Sequence, residues 1–570
     1  MTPAKILVTA AWPYLNLTPH LGNMASSFLS ADVVARYYRL RGDDVVMVSG
    51  SDEHGTPIEV EAVRLGIAPK ELTDKNHAKV LALIERWGIS FDNYTRTESP
   101  VHKEFVQNHL LKIYRNGYIF VQETEMLYCE KCSRFLPDRF VEGTCPYCGS
   151  QGARGDQCTK CGRLLETTQL VEPYCVVCKG KPVVKKTKHW YFDLPKLSQK
   201  LQRYLSENRQ LPNNARNFSI NWVKEGLKPR AVTRDASPRT PWGISAPFPD
   251  SEGKTIYVWV EAVLGYVSAT LEYFKNRGEP ERWKEFWFNK EAKTLFFIGK
   301  DNIPFHTIIF PALLIASGED YTLPWNVSST EFLQFKGENF SKSHGVGVFI
   351  DEALELFPAD YWRFFLMLSR PETKDTNFSW ELFIEKVNSD LNDTFGNFIH
   401  RTLSFIHSHF DGGIPKPEQL DDDAKNVLAV VKEKLQFMAE EIEHCRLQSA
   451  ANTLIGISRI GNQLLNEKEP WNLIKKDPAK AANVFYVASQ IVKVLATASA
   501  PFIPFTAEKL WETLNLKGSV HEQKWGSALE PFPQDHRILK PKPLFQKIEA
   551  SEQELDELLQ KARKKITGAK

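Results

Sequence analysis

The chain opens with an apolar run at residues 6–10 that reads as a short buried strand. A loop carrying Trp12, Pro13 and Tyr14 follows. From about Met24 to Leu40 apolar positions, among them Phe28, Val33 and Tyr37, recur at helical spacing. Residues 45–48 form a second buried strand, which ends in the polar run Ser49-Gly50-Ser51-Asp52-Glu53-His54-Gly55. Strand, helix and strand in this order predict a βαβ unit and an α/β fold built on a parallel sheet. The carboxyl ends of such strands are the expected ligand-binding edge.

From about Gly117 to Pro229 the periodicity breaks into short pieces punctuated by glycine, proline and cysteine, as in a domain inserted into the sheet. The α/β pattern returns with residues 256–260 and 294–298. From about Glu381 the chain reads as helical, with Val387, Leu391, Phe395 and Phe398 three or four apart, and a bundle is expected as far as Leu539. Residues 552–565 are charged, acids first and bases last, an order that suits the helix dipole. A docking helix and a mobile tail both fit that pattern.

A chain of 570 residues is too long for one core, so about two to four domains are expected. With 42% hydrophobic and 25% charged residues the composition is that of a globular protein, and a net charge of +2 leaves any nucleic-acid surface to a local patch. No stretch reads as long and apolar enough to span a membrane and no cleavable leader is evident, so a cytoplasmic protein is expected. Eight of the nine cysteines stand in Cys-x-x-Cys pairs: Cys129/Cys132, Cys145/Cys148, Cys158/Cys161 and Cys175/Cys178. Each such turn aims two thiolates at one ion, and two turns close a tetrahedral zinc site. The sequence leaves the pairing open. Nesting, with Cys145, Cys148, Cys158 and Cys161 on one ion and Cys129, Cys132, Cys175 and Cys178 on the other, is favoured because the inner four close within a single knuckle; sequential pairing is the alternative. Cys445 is expected to be a small buried hydrophobe.

Two short segments carry candidate chemistry. Pro19-His20-Leu21-Gly22-Asn23 precedes a helix, where free N–H groups suit a polyphosphate and Gly22 allows close approach. Asn339-Phe340-Ser341-Lys342-Ser343-His344-Gly345 sets a cation between two serines, suited to neutralising charge that develops on phosphate. Either alone is weak, since capping histidines and solvated Lys-Ser runs are common. In this order, around a cysteine-rich insertion, the pair resembles the two signatures of class I aminoacyl-tRNA synthetases.

Three further segments narrow the resemblance. Ala11-Trp12-Pro13-Tyr14, Ser51-Asp52-Glu53-His54-Gly55-Thr56-Pro57 and Tyr257-Val258-Trp259-Val260-Glu261-Ala262-Val263-Leu264-Gly265-Tyr266 are similar to the pocket-lining segments of the methionyl-tRNA synthetase family, as is Phe297-Ile298-Gly299-Lys300-Asp301-Asn302-Ile303-Pro304-Phe305-His306. The resemblance implies a Rossmann-type catalytic domain in two halves (1–116 and 231–325), a zinc-knuckle connective insertion (117–230), a region bearing the Lys342 loop (326–385), an anticodon-binding helical bundle (386–540) and a charged C-terminal helix or tail (541–570). It implies ATP, L-methionine and tRNA(Met) as substrates, structural Zn²⁺, Mg²⁺ with the ATP, and a monomer. His20, Asn23 and Lys342 are the implied catalytic residues, and Gly22, Lys300, Ser341 and Ser343 join them on ATP.

For methionine the implied set is Trp12, Tyr14, Asp52, Trp259, Ala262, Tyr266, Phe305 and His306. A flexible thioether packs well against rings, Asp52 would pair with the α-ammonium, and Tyr266 and His306 are placed to offer the sulfur a weak hydrogen bond. Asn397, Arg401 and Trp471 are the implied anticodon readers. Asn23 stands where the signature has His, Asn339 where it has Lys, and Val263 where many bacterial members have Pro. Trp12-Pro13-Tyr14, Asn23, Phe340 and the paired knuckles together look more like the archaeal and eukaryotic branch. A sister enzyme for leucine or valine, or a non-catalytic zinc protein that binds RNA, are the other readings; amino-acid-dependent pyrophosphate exchange separates all three.

Overall fold

The computed structural model describes residues 3–136, 140–154, 158, 160–161, 165, 167–237, 241–340, 345–417 and 419–567. Five parallel strands form its central sheet: β1 (Lys5–Ala10), β2 (Asp44–Ser51), β3 (Asn93–Arg96), β4 (Lys293–Gly299) and β5 (Asn326–Thr330), in the spatial order β5-β4-β1-β2-β3. Val8 of β1 is level with Met47 of β2 and Leu295 of β4, so their carboxyl ends share one edge. The helix between β1 and β2 starts at Leu21, passes through a π-helical stretch, Met24–Phe28, and continues as α1 (Leu29–Arg41). Leu7 and Val8 are buried on opposite faces of β1, as a parallel strand covered on both sides requires.

Residues 256–260 do not make a second-half strand. Lys254–Ile256 pairs antiparallel with Thr233–Asp235 outside the main sheet, and α2 (Val258–Asn276) starts at once. A short β-branched run cannot by itself be told from the start of a buried helix. Here the apolar stretch continues through Val267 and is buried nearly all round, which selects helix.

The insertion is built on a long antiparallel hairpin, Ile119–Cys129 with Val183–Phe192, and the cysteine knuckles sit at its far end. Two helices, Ser198–Glu207 and Asn213–Glu225, return the chain to the sheet. They lie in the segment expected to be short pieces. The signal for the first was present, since Leu194, Leu197, Leu201 and Leu205 follow helical spacing and all are buried.

The C-terminal region is a helical bundle. Its core helix Pro478–Ser499 is long and apolar enough to cross a membrane, contrary to the reading of the sequence, but its apolar window is 83% buried inside the bundle. The last helix, Glu552–Thr567, is docked. Asp556 accepts a hydrogen bond from Trp380 Nε1 at 2.8 Å, and Arg563 pairs with Glu352 at 3.0 Å and donates to the Gly345 carbonyl at 3.1 Å.

One buried ion pair ties the bundle to the sheet. Arg363 is fully buried, pairs with Asp32 of α1 at 2.6 Å, and donates to the carbonyls of Trp87, Pro501 and Phe502. Burial opposes ionisation of Asp32, but Arg36, Arg363 and Ser90 outweigh it and hold the carboxyl well below its usual range. Arg363→Ala strands that carboxylate and is expected to cost about 3–5 kcal/mol, read as a lowered thermal unfolding midpoint. A change within the scatter of surface variants would show the pair to be dispensable.

Candidate active site

The segments leaving β1, β2 and β4 wall a cavity of about 370 Å³ at the carboxyl edge of the sheet. Trp12 and Tyr14 follow β1, and Asp52 follows β2. Trp259, Ala262 and Tyr266 come from the first turns of α2, and Phe305 and His306 from the turn beyond β4. His20, Gly22 and Asn23 line the other end. Phe340 joins them, its ring stacked on His20 with centroids 4.7 Å apart and planes 9° apart. The structure thus brings the expected methionine set into one cavity with His20, Gly22 and Asn23 of the expected ATP set. Ser341, Lys342 and Ser343 lie outside the described residues; Asn339 and Phe340, just before them, line the cavity.

Close packing fixes the amino-acid end. A Cβ on Gly50 or on Gly265 would lie 2.7 Å from the Trp12 indole, so this ring needs glycine on both β2 and α2. Trp259 stacks on Phe305 with centroids 4.3 Å apart, and Tyr14 meets Trp259 edge-on. Tyr266 Oη lies 2.7 Å from His306 Nε2, and His306 Nδ1 lies 2.9 Å from the Asn302 carbonyl. That carbonyl can only accept, so Nδ1 carries the ring hydrogen and Nε2 accepts from Tyr266. Burial lowers the imidazole to about 4 and keeps it neutral. Both hydrogens are therefore spent inside the wall. The expectation that Tyr266 and His306 donate to a sulfur is corrected: toward the cavity they present ring surface and lone pairs, not donors.

The His20 end is organised by the helix start. Asn23 Oδ1 accepts the His20 N–H at 3.1 Å, which leaves its NH₂ as the donor it presents. Burial lowers His20 to about 4, and its Nδ1 is buried without a hydrogen-bond partner. A Cβ at Gly22 would lie 2.9 Å from the His20 ring, so the glycine first of all makes room for this imidazole. Lys300 is not among the lining residues. Its ammonium lies 2.8 Å from both Glu331 and Asp375. Its neighbours Asp301 and Asn302 line the cavity instead, as do Phe332 and Leu333. The polar run after β4 was the available signal for the first two; nothing local marks the others.

Behind Asp52 lies a buried cluster that the sequence did not disclose. His54 is 1% exposed and bridges Glu261 (Nδ1, 2.9 Å) and Glu98 (Nε2, 2.7 Å). Burial opposes its protonation, but the two carboxylates outweigh burial and push it up to about 10. Glu98, despite burial, is lowered to about 2 by His54 and Lys103. Burial, then the Glu261 charge, raise Asp52 well above the carboxylate range, and its Oδ1 is buried without a partner.

The insertion holds two groups of four cysteines that could hold a metal ion: Cys129, Cys132, Cys175 and Cys178, and Cys145, Cys148, Cys158 and Cys161, with the sulfurs of each group within 4.8 Å of one another. This is the nested arrangement. In the bundle, Arg401 lies 5.2 Å from the Trp471 ring and 3.3 Å from Asn466, beside Asn397 in a shallow surface hollow. Trp471 is 37% exposed, open enough to stack a base.

A family model for class I tRNA synthetases (M) matches residues 6–403, and one for the anticodon binding domain of methionyl tRNA ligase matches residues 414–563. The chain is 53% identical over 546 residues to a methionine–tRNA ligase of Korarchaeum cryptofilum, covering 96% of each chain. It is 52% identical over 561 residues to one of Thermofilum pendens, covering 98% of this chain and 97% of the other. Among solved structures, Mycobacterium tuberculosis methionyl-tRNA synthetase bound by methionyl-adenylate superposes with a TM-score of 0.79 at 23% identity, covering 95% of this chain and all of that one.

Proposed function

The chain belongs to the methionyl-tRNA synthetase family of class I tRNA ligases, and we propose that it carries out both half-reactions of that family in the cleft between Asp52 and His20. The observation that carries this reading is the shared cavity. A ring-lined end with a buried carboxylate, one oxygen of it unpartnered, opens directly onto a helix start bearing His20 and Asn23.

Asp52 holds the α-ammonium, and the thioether lies against Tyr266, His306 and the Trp259–Phe305 stack. This directs the methionine carboxylate toward the nucleotide end, where it attacks the α-phosphate of ATP; methionyl-adenylate forms and pyrophosphate leaves. His20, Asn23 and the backbone beside Gly22 bind phosphate oxygens, and Lys342 neutralises the charge that builds during displacement. Asn23 donates without carrying charge, and with Asn339 in place of a lysine Lys342 is the main cation of its own loop. Mg²⁺ enters with the ATP. The terminal adenosine hydroxyl of tRNA(Met) then attacks the acyl carbonyl. A second cavity, of about 790 Å³, lies under the insertion hairpin, shares Trp259 and Phe305 with the cleft, and bears Trp222, Tyr257 and Arg230; it supports entry of an unpaired 3′ end by this route. At the far end of the molecule Trp471 stacks an anticodon base while Arg401 and Asn397 read base edges. Coupling to protein synthesis puts this activity in the cytoplasm.

Each thiol group fits zinc. A tetrahedral ion with bonds of about 2.3 Å spaces its sulfurs about 3.8 Å apart. The pairs Cys132/Cys175 and Cys145/Cys161 are 3.9 Å apart, and Cys148/Cys158 3.7 Å. Backbone N–H groups of Cys132 and Gly180 donate to Cys129 and Cys178, as in closed structural sites. Bound zinc would fix the knuckle and supplies no step of the reaction.

Three outcomes test this reading. Lys342→Ala is expected to slow methionine-dependent pyrophosphate exchange by about 10²-fold or more while methionine affinity holds; equal loss of both refutes the role. Arg401→Ala and Trp471→Ala should raise the KM for tRNA about tenfold each and leave pyrophosphate exchange unchanged, and an unchanged tRNA KM refutes anticodon contact. Metal analysis should find two zinc ions per chain, falling to one in Cys132→Ala; a full complement in that variant contradicts the grouping.

A further inference from the structure

Four carboxylates, those of Asp52, Glu53, Glu98 and Glu261, crowd behind the ring-lined end of the cleft, and among the described residues three cations pair with them. Arg96 lies 2.8 Å from Glu53, Lys103 2.6 Å from Glu98, and the imidazolium of His54 sits between Glu98 and Glu261. Arg96 also meets Asp74, but Asp74 has its own partner in Lys70. The other imidazoles that face the cluster are His77, 3.9 Å from Glu53, and His102, against the Trp12 ring; burial lowers them to about 4 and about 3, so both are neutral. The unpartnered oxygens of the cluster, Asp52 Oδ1, Glu53 Oε1 and Glu261 Oε2, are all buried.

We propose that His54 is a positioning residue for the substrate's ammonium: clamped between Glu98 and Glu261, it ties the end of β2 to α2 and leaves the cluster one positive charge short, so that the bound ammonium completes it. The geometry gives the imidazole two tasks. It fixes the span between Asp52, two residues before it, and the first turn of α2, where Trp259 and Ala262 flank Glu261. It also supplies a buried cation close to Asp52, whose carboxylate takes the His54 backbone N–H. Burial and repulsion push Asp52 and Glu261 toward their neutral forms, as a cluster lacking one cation should behave.

The proposal rests on the reading that Asp52 binds the ammonium. Pyrophosphate exchange on the full chain, measured from about pH 6.5 to about pH 8.5, separates the two. In His54→Gln a cation is lost beside Asp52, so its carboxyl protonates at higher pH. The methionine KM should rise about tenfold at neutral pH and climb further as pH falls, with the ATP KM nearly unchanged. Glu98→Gln, on the more open side of the clamp, removes a negative charge instead. Its methionine KM should rise, and rise further as pH climbs, because His54 has lost one of the two carboxylates that hold its proton, and this variant carries the test should His54→Gln not fold. Opposite pH behaviour of the two variants supports the proposal. A pH-independent penalty in His54→Gln, low-pH steepening in Glu98→Gln, or methionine and ATP KM values moving together, assigns His54 a merely structural role. If Asp52→Asn leaves the methionine KM unchanged, the ammonium reading itself fails.

Discussion

A buried carboxylate needs a cation, and the amino-acid end of the cleft is organised around that constraint. Asp52 follows directly on β2 with one oxygen buried and unpartnered. Its backbone is docked on the loop after β1 by Asp52 N–H to Pro13 and Leu15 N–H to Asp52. The Trp12 indole, wedged between Gly50 and Gly265, closes the space beside it. A ligand that brings an ammonium and an apolar tail meets both demands together. Water could hydrogen-bond the carboxylate but supplies neither the charge nor the apolar contact.

The nucleotide end follows from the same topology. Because β1, β2 and β4 run parallel, the segments leaving them converge, and the helix that follows β1 starts at the cleft. His20 stays neutral there, held by Phe340 and by burial. A neutral imidazole can donate to phosphate without first shedding a competing counter-ion. The docked C-terminal helix bears on the same region, with Lys336 close to Asp556 and Arg563 against Glu352.

Much of this was legible along the chain where chemistry is local. Residues 6–8 and 45–48 are unbroken apolar runs, the second followed by a polar turn, and cysteine spacing marks the knuckles. What stayed hidden depends on contacts distant in sequence. His54 finds Glu98 after 44 residues and Glu261 after 207, and no local pattern links them. The start of α2 was hidden because Val258 and Val260 favour strand until burial on every side decides for helix. The hydrogen-bond direction through Tyr266 and His306 depends on the Asn302 carbonyl, which only folding brings close. Lys300 follows the expected pattern in sequence, yet Glu331 and Asp375 hold it.

The most direct measurement is a crystal structure of this chain with a non-hydrolysable methionyl-adenylate analogue. The account predicts the ligand ammonium about 3 Å from Asp52 Oδ1, the thioether against Tyr266 and His306, and the phosphate mimic beside His20 and Asn23. An analogue bound with its amine turned away from Asp52, or outside the Trp12-lined cavity, would contradict it.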